Sequence, residues 1–324
     1  MILVLNKFCK SVLLLFSLLS FGLVSGAQVD AYFSVVKDSI SGLPNFYAKK
    51  SKHASARINT YLELANLQQI RLNLPDSSLT ESWVYHVFTN NKRYLSISVS
   101  KLEDDREKTI QNYCFNSATG EVIGIQDIFT PNGIAFIKKN NLKNSLSEIK
   151  SENLPFTPAQ IKKSLKNDIH NFTISEDTLI VYNNKAFSAD SAGNPSDYAA
   201  KMGFSTRVMS GFLATYGQAM FGVNRRLKMK KMVSSQLVGL YQGKLDGEPI
   251  LIQLSAPYDK ELDGVLYFPN SKKAMPLAGI FKSNRFEAQT ALGKLSMYIS
   301  GGKIQGNVKD ANKKISYLNL EKEQ

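Results

Sequence analysis

Cysteine is nearly absent from this chain. Of the two in 324 residues, Cys9 lies in the N-terminal apolar segment and Cys114 stands alone in the remainder. One thiol cannot form an intramolecular disulfide, so a disulfide-stapled scaffold is excluded and a buried core has to hold the fold. Histidine is scarce as well: His53, His86 and His170 are the full set, with no two at the spacing of zinc ligands. There is no G-x-S-x-G elbow, no H-E-x-x-H and no phosphate-binding loop. Cys114 sits in the strand-like run 110–115, without the local signature of a catalytic thiol, and reads as a small buried hydrophobe. These residues nominate no catalytic group, no metal ligand and no cofactor.

Acidic residues are also in short supply, 27 against 40 Lys and Arg, for a net charge of +13. Such an excess favours anionic partners: phospholipid headgroups, anionic envelope polymers or acidic proteins. It serves solubility equally well. After residue 27 no apolar run is long enough to cross a bilayer, so no transmembrane segment is expected in the mature chain.

The one long apolar run is N-terminal. Lys7 and Lys10 precede the run Val12–Val24, and Ser25-Gly26-Ala27 supplies the small residues a signal peptidase accommodates. The run falls short of the roughly 20 residues that span a bilayer. Residues 1–27 therefore read as a cleavable signal peptide, with cleavage before Gln28 and the mature chain exported to the periplasm or the exterior. Export in turn argues against nucleic acid as a partner.

Residues 28–222 alternate helical and strand signals. Ala54, Ile58, Tyr61, Leu62 and Ala65 share one helical face behind Ser51 as N-cap. Trp83–Phe88, apolar on both faces, reads as a central strand. Leu95, Ile97 and Val99 alternate with Ser96, Ser98 and Ser100, which predicts a strand with one solvent face. A hairpin is predicted over 113–125, with its turn at Ala118-Thr119-Gly120. Thr130-Pro131 and Thr157-Pro158 each place a capping hydroxyl before a proline at the first helical position, and Gln160 completes capping-box spacing with Thr157. Strands follow at 170–174, 178–182 and 203–208, then a short helix from Ser210 that ends at Gly217. This order predicts an α+β fold with an antiparallel sheet.

Composition changes at Arg225-Arg226-Leu227-Lys228-Met229-Lys230-Lys231, so 223–236 reads as a basic linker. From 237 to 324 helical signals vanish. Eight short strands are expected at 238–245, 250–255, 262–268, 274–281, 286–290, 295–300, 304–308 and 315–320, with tight turns at Asn284, Gly293, Gly301-Gly302 and 310–312. Gly243, Gly264, Gly279 and Gly306 recur in an apolar-x-Gly-x-apolar pattern. Glycine inside a strand marks sharp bending or close backbone approach. The segment is an all-β antiparallel meander or small barrel.

Two surface regions are candidates for ligand contact. One is the long polar loop around Asn194, Asp197 and Tyr198, since such loops often carry function. The other is the basic run Arg225, Arg226, Lys228, Lys230 and Lys231. Glu103-Asp104-Asp105, beside Arg106, reads as a turn between strands.

Several of these segments resemble the PdaC/RsiV-type extracytoplasmic domains of bacteria. They are Leu43-Pro44 with Ala56–Leu62, Tyr94–Ile97, Cys114–Val122, Asp127-Ile128-Phe129 and Phe172–Tyr182, spread over about 30–222. The resemblance implies a bacterial envelope setting, because such domains accompany peptidoglycan deacetylases and lysozyme-responsive anti-sigma regulators. This chain has neither a deacetylase metal motif nor a helix to relay a signal, and its polar loop 188–201 departs from the compact one expected. The C-terminal segment resembles small β modules of exported bacterial proteins. The expectation is a non-catalytic envelope protein that binds peptidoglycan, another anionic polymer or a protein partner. The alternatives are a hydrolase using dispersed carboxylates and small-molecule or lipid carriage by the β segment.

Overall fold

The computed structural model describes residues 31–70, 82–103, 106–165, 169–183, 185–189, 191–193, 196, 198, 200–224, 226–229, 237–256 and 261–322. Residues 1–27, read above as a signal peptide, lie outside them. The first half is α+β with antiparallel sheets and the second a closed antiparallel barrel, as the patterning predicts. Among the described residues no helix is long and apolar enough to cross a membrane.

The chain opens with a hairpin, β1 (Ser34–Lys37) and β2 (Pro44–Tyr47), followed by α1 (Lys52–Leu67). Ser51 precedes α1 as expected, but its hydroxyl is engaged with the Tyr32 hydroxyl at 2.5 Å instead of capping the helix. A three-stranded sheet follows, ordered β3 (Ser82–Asn90), β4 (Tyr94–Glu103), β5 (Arg106–Asn116). Then come α2 (Ile125–Ile128), α3 (Pro131–Ser151) and α4 (Pro158–Ser164). A second three-stranded sheet is built from β6 (Phe172–Ser175), β7 (Thr178–Tyr182) and β8 (Lys201–Ser205). Helix α5 (Thr215–Phe221) ends this half. Thr130 and Thr157 cap α3 and α4, accepting from the Gly133 and Gln160 amides at 3.2 Å each.

Four expectations for this half are corrected. The apolar strand β3 is an edge strand, and the serine-bearing β4 is the centre of the sheet, with residues 94–100 all buried. Its serines face the second sheet instead of water, and the Ser96 hydroxyl accepts from the Ile174 amide at 2.8 Å. The return arm after Gly120 makes a single bridge, Phe115 to Val122, before the chain turns into α2. The helix expected from Ser210 begins only at Thr215, after a separate 3-10 turn at Ser210–Phe212, and it runs through Gly217 to Phe221; the glycine at 217 serves close packing, since a Cβ there would lie 2.2 Å from the Ile128 carbonyl oxygen.

The second half is an eight-stranded meander closed on itself. Its strands are β9 (Gly239–Leu245), β10 (Glu248–Leu254), β11 (Glu261–Phe268), β12 (Lys273–Lys282), β13 (Arg285–Thr290), β14 (Gly293–Ser300), β15 (Lys303–Lys309) and β16 (Ile315–Lys322). Each pairs with the next, and β16 closes on β9 through Leu318–Leu245 to Lys322–Tyr241. Closure leaves no unpaired edge. The strand glycines mark close approach: a Cβ on Gly243 would lie 2.1 Å from the Asn319 carbonyl oxygen, and one on Gly306 2.2 Å from that of Ser296. Tyr241, Ile252, Leu254, Leu262, Phe286, Leu295 and Ile304 are fully buried and pack together within the barrel.

The halves share a core. Helix α1 packs its Ile58 and Leu62 in one cluster with Leu95, Ile97 and Val99 of β4 and with Leu240, Val265 and Tyr267 on the outside of the barrel. The Tyr61 hydroxyl donates to the Leu254 carbonyl at 3.3 Å. Ala54, Ile58, Tyr61 and Leu62 are buried as their spacing predicts. Leu64 and Arg57 are buried as well, since α1 is covered on more than one side.

Candidate functional site

The chain beyond α5 is held by its own alternation. Leu227 and Met229 are half-buried, Met229 against the core that contains Tyr94 and Met220, while Arg226 and Lys228 are exposed. Asn224 sets the turn, its side-chain oxygen accepting from the Arg226 amide and its carbonyl from the Leu227 amide, both at 3.2 Å. Arg225, Lys230 and Lys231 lie outside the described residues, as does most of the proposed linker.

A second basic stretch is anchored at the end of α5. Lys92 and Arg93, both exposed, sit in the β3–β4 turn, where the Asn91 side-chain oxygen accepts from the amides of Arg93 (2.8 Å) and Tyr94 (3.0 Å). The Arg93 guanidinium donates at 3.4 Å to the carbonyl of Met220, 127 residues away, in the last turn of α5. A cation there complements the unsatisfied carbonyls and negative end of the helix. The Lys92-Arg93 turn is thereby held at Met220, six residues before Arg226 in the chain. Among the described residues none of Lys92, Arg93, Arg226 and Lys228 is ion-paired. Sequence reasoning missed Lys92 and Arg93, whose only local signal is an adjacent basic pair in a turn.

The polar loop is tied down more than its composition suggests. Tyr198 packs its ring 5.1 Å from Phe187 and 5.7 Å from Phe156, and its hydroxyl donates to the Glu148 carboxylate. Burial, together with that carboxylate, holds the phenol well above its ordinary pKa. The Ser191 amide donates to the Pro155 carbonyl at 2.7 Å, and the Gln160 side chain to that of Ala189 at 2.8 Å. Tyr198 is therefore engaged internally as an anchor of the loop. Asn194 and Asp197 lie outside the described residues.

The histidines stay apart. His53 is exposed on α1. His86 pairs with Glu107 at 3.1 Å, a solvent-exposed contact of little energetic weight. His170 is held down to a pKa of about 4 by burial and by the nearby Lys138 ammonium. Among the described residues no three His, Cys, Asp or Glu side chains gather as metal ligands would. Asp127, buried, accepts from the Gly124 amide at 2.8 Å and serves the start of α2. Asp104 and Asp105 lie outside the described residues. What the described surface offers is a cluster of unpaired cations, which attracts anions.

Compared with known proteins, the chain matches no family model and no curated sequence. The resemblance to PdaC/RsiV-type domains rests on the motifs quoted above. Their places in the fold are the start of β2, the middle of α1, the start of β4, the turn after β5, α2 and the β6–β7 hairpin.

Proposed function

We propose that this is an exported, non-catalytic protein of the bacterial envelope that binds an anionic envelope polymer, with peptidoglycan the first candidate. The observation that carries the reading is that Arg93, beside Lys92, is held against the last turn of α5, from which the chain runs on into Arg226 and Lys228; all four are exposed and without an ion pair among the described residues. The basic balance of the chain, its signal-like N-terminus and the resemblance support the same setting. An extended polyanion suits several cations spread over a turn and a loop, whereas a small ligand calls for a concave site.

Retention on isolated cell walls tests this. Exposed charges act over about 8 Å at physiological salt and about 3 Å at 1 M, so retention is expected to fall steeply between those conditions. Replacing Lys92, Arg226 and Lys228 by Gln is expected to abolish most of it, while Arg93 is kept because it supports α5. Retention unchanged by both salt and substitution would sink the reading. Retention that survives on walls stripped of anionic polymers would point instead to a protein partner.

A further inference from the structure

The outside of the barrel has two unlike sides. Toward α1 its outward residues Leu251, Gln253, Val265 and Tyr267 are covered. Away from α1, the outward residues of β13–β16 and of the far end of β12 are exposed or half-buried. All five large hydrophobics that the described barrel exposes (Ile280, Leu292, Tyr298, Ile315 and Tyr317) lie on this side or on the turn at its margin. Tyr298 and Tyr317 are 53% and 68% exposed. The strand register makes a grid of them: Tyr298 is opposite Gln305, Ser296 opposite Asn307, and Asn307 opposite Tyr317. Two strand spacings and one two-residue step put the tyrosines roughly 12 Å apart along the sheet surface. Between them on β15 are Gln305 and Asn307, whose amides make no side-chain hydrogen bond among the described residues.

Beside Tyr298 the face deepens into an open groove of about 840 Å³ over β12–β14, with Ile280 and Tyr298 as apolar lining and Lys282, Arg285 and Lys294 as cations. Arg285 is preset next to Tyr298, its cross-strand partner. Its guanidinium is held by the Glu287 carboxylate at 2.7 Å and the Ser296 hydroxyl at 3.3 Å. Glu287 also meets Lys294 at 3.6 Å, so the single carboxylate is outnumbered.

We infer that this face is a second, separate binding site, and that it takes an acidic polysaccharide. Half-exposed tyrosine rings offer rigid amphipathic platforms for the apolar faces of sugar rings, at low conformational cost. Amides and a preset guanidinium supply planar donors and acceptors for hydroxyls, and fixing them in advance lowers the entropy lost on binding. The surplus of Lys282, Arg285 and Lys294 over Glu287, with Lys309 further along and Lys303 matched by Glu321 at 2.9 Å, selects sugars that carry carboxylates. The core of a protein interface would instead be depleted of lysine and glutamate, which this face carries at Lys282, Lys294 and Glu287.

The test is calorimetric titration of the chain from residue 28 onward with hexagalacturonate, and with neutral chitohexaose as the contrast. Hexagalacturonate is expected to bind and chitohexaose to bind at least tenfold more weakly. Tyr298→Ala and Tyr317→Ala are each expected to weaken hexagalacturonate about three- to tenfold. Tyr298→Phe, which keeps the ring, should restore most of that loss and so separates stacking from a folding defect. Lys294→Gln should lower affinity and salt dependence together. The variant lacking Lys92, Arg226 and Lys228 should bind hexagalacturonate normally, whatever its behaviour on cell walls; a loss there would move the binding to the other site. Absence of hexagalacturonate binding, equal binding of chitohexaose, or full binding by the doubly substituted Tyr298→Ala, Tyr317→Ala chain would each overturn the inference.

Discussion

The two halves of this molecule bury different chemistry. Ser41, Arg57, Ser96, Ser98, Asn116, Asp127, Asn141, Thr173 and Asn183 are all buried in the first half, whereas Gln253 is the only buried polar side chain of the described barrel and it faces α1. The barrel satisfies its backbone by closure and fills its interior with apolar side chains. The first half stacks two open sheets, and side chains bridge them: Ser96 accepts from Ile174, Asn112 donates to Asn171, and the Tyr94 hydroxyl donates to the Glu176 carbonyl. One half is specified by shape and the other by hydrogen bonds. Their failures should differ accordingly.

The largest effect is expected in the barrel. Gly243→Val or Gly306→Val drives a side chain into a neighbouring carbonyl, so the loss should exceed about 3 kcal/mol. Urea unfolding monitored by circular dichroism measures it; a cost under about 1 kcal/mol would mean that the barrel is looser than its packing. Because α1 shares a cluster with Leu240 and Tyr267, the first half should lose its cooperativity in the same variants.

A smaller effect separates the halves by pH. His170 has a folded pKa of about 4 against 6.5 unfolded, so the unfolded chain takes up its proton first. Its stabilising contribution is complete above about pH 6.5 and is lost as pH falls toward 4, worth up to about 3 kcal/mol. The chain has no histidine after residue 170. Acid should therefore loosen the first half before the barrel, and His170→Gln should flatten that dependence in melts recorded from pH 7 to 4. Simultaneous loss of both halves in the unsubstituted protein, with the same slope in the variant, would contradict it.

The smallest expected effect probes the hydrogen-bonded half directly. Asn141 of α3 and Asn183, just past β7, exchange two amide hydrogen bonds at 2.9 and 2.8 Å, both residues buried. Asn141→Leu strands the Asn183 amide and should cost about 1–3 kcal/mol. Adding Asn183→Leu should recover part of the cost in a double-mutant cycle. Strictly additive losses would show that the pair is not a unit.

The same contrast explains what could be read in advance. All eight barrel strands were legible within a few residues, because a dry interior and a wet exterior enforce a period of two, and glycine or asparagine marks most of the turns. In the first half serine defeated the pattern. Ser96, Ser98 and Ser100 look like a solvent face, and only a second sheet across from them makes them interior. Trp83–Phe88 misled in the opposite sense, since β3 is an edge strand that leaves Val87 38% exposed. The binding surfaces were less legible still. Arg93 reaches the end of α5, just ahead of Arg226 and Lys228, only through tertiary packing, and alternation alone cannot tell which side of a barrel a helix will cover.

The bond from Tyr61 to Leu254 spans 193 residues. At the roughly 5–20 residues per second of protein synthesis, the barrel strand that receives α1 is made roughly 10–40 s after the helix itself. Throughout that interval the apolar side of α1 that belongs to Leu240, Val265 and Tyr267 has no partner. The amino-terminal half therefore leaves the ribosome as a sticky, incomplete body, and its maturation waits on the synthesis of β9–β11. A holding chaperone would find its target on α1.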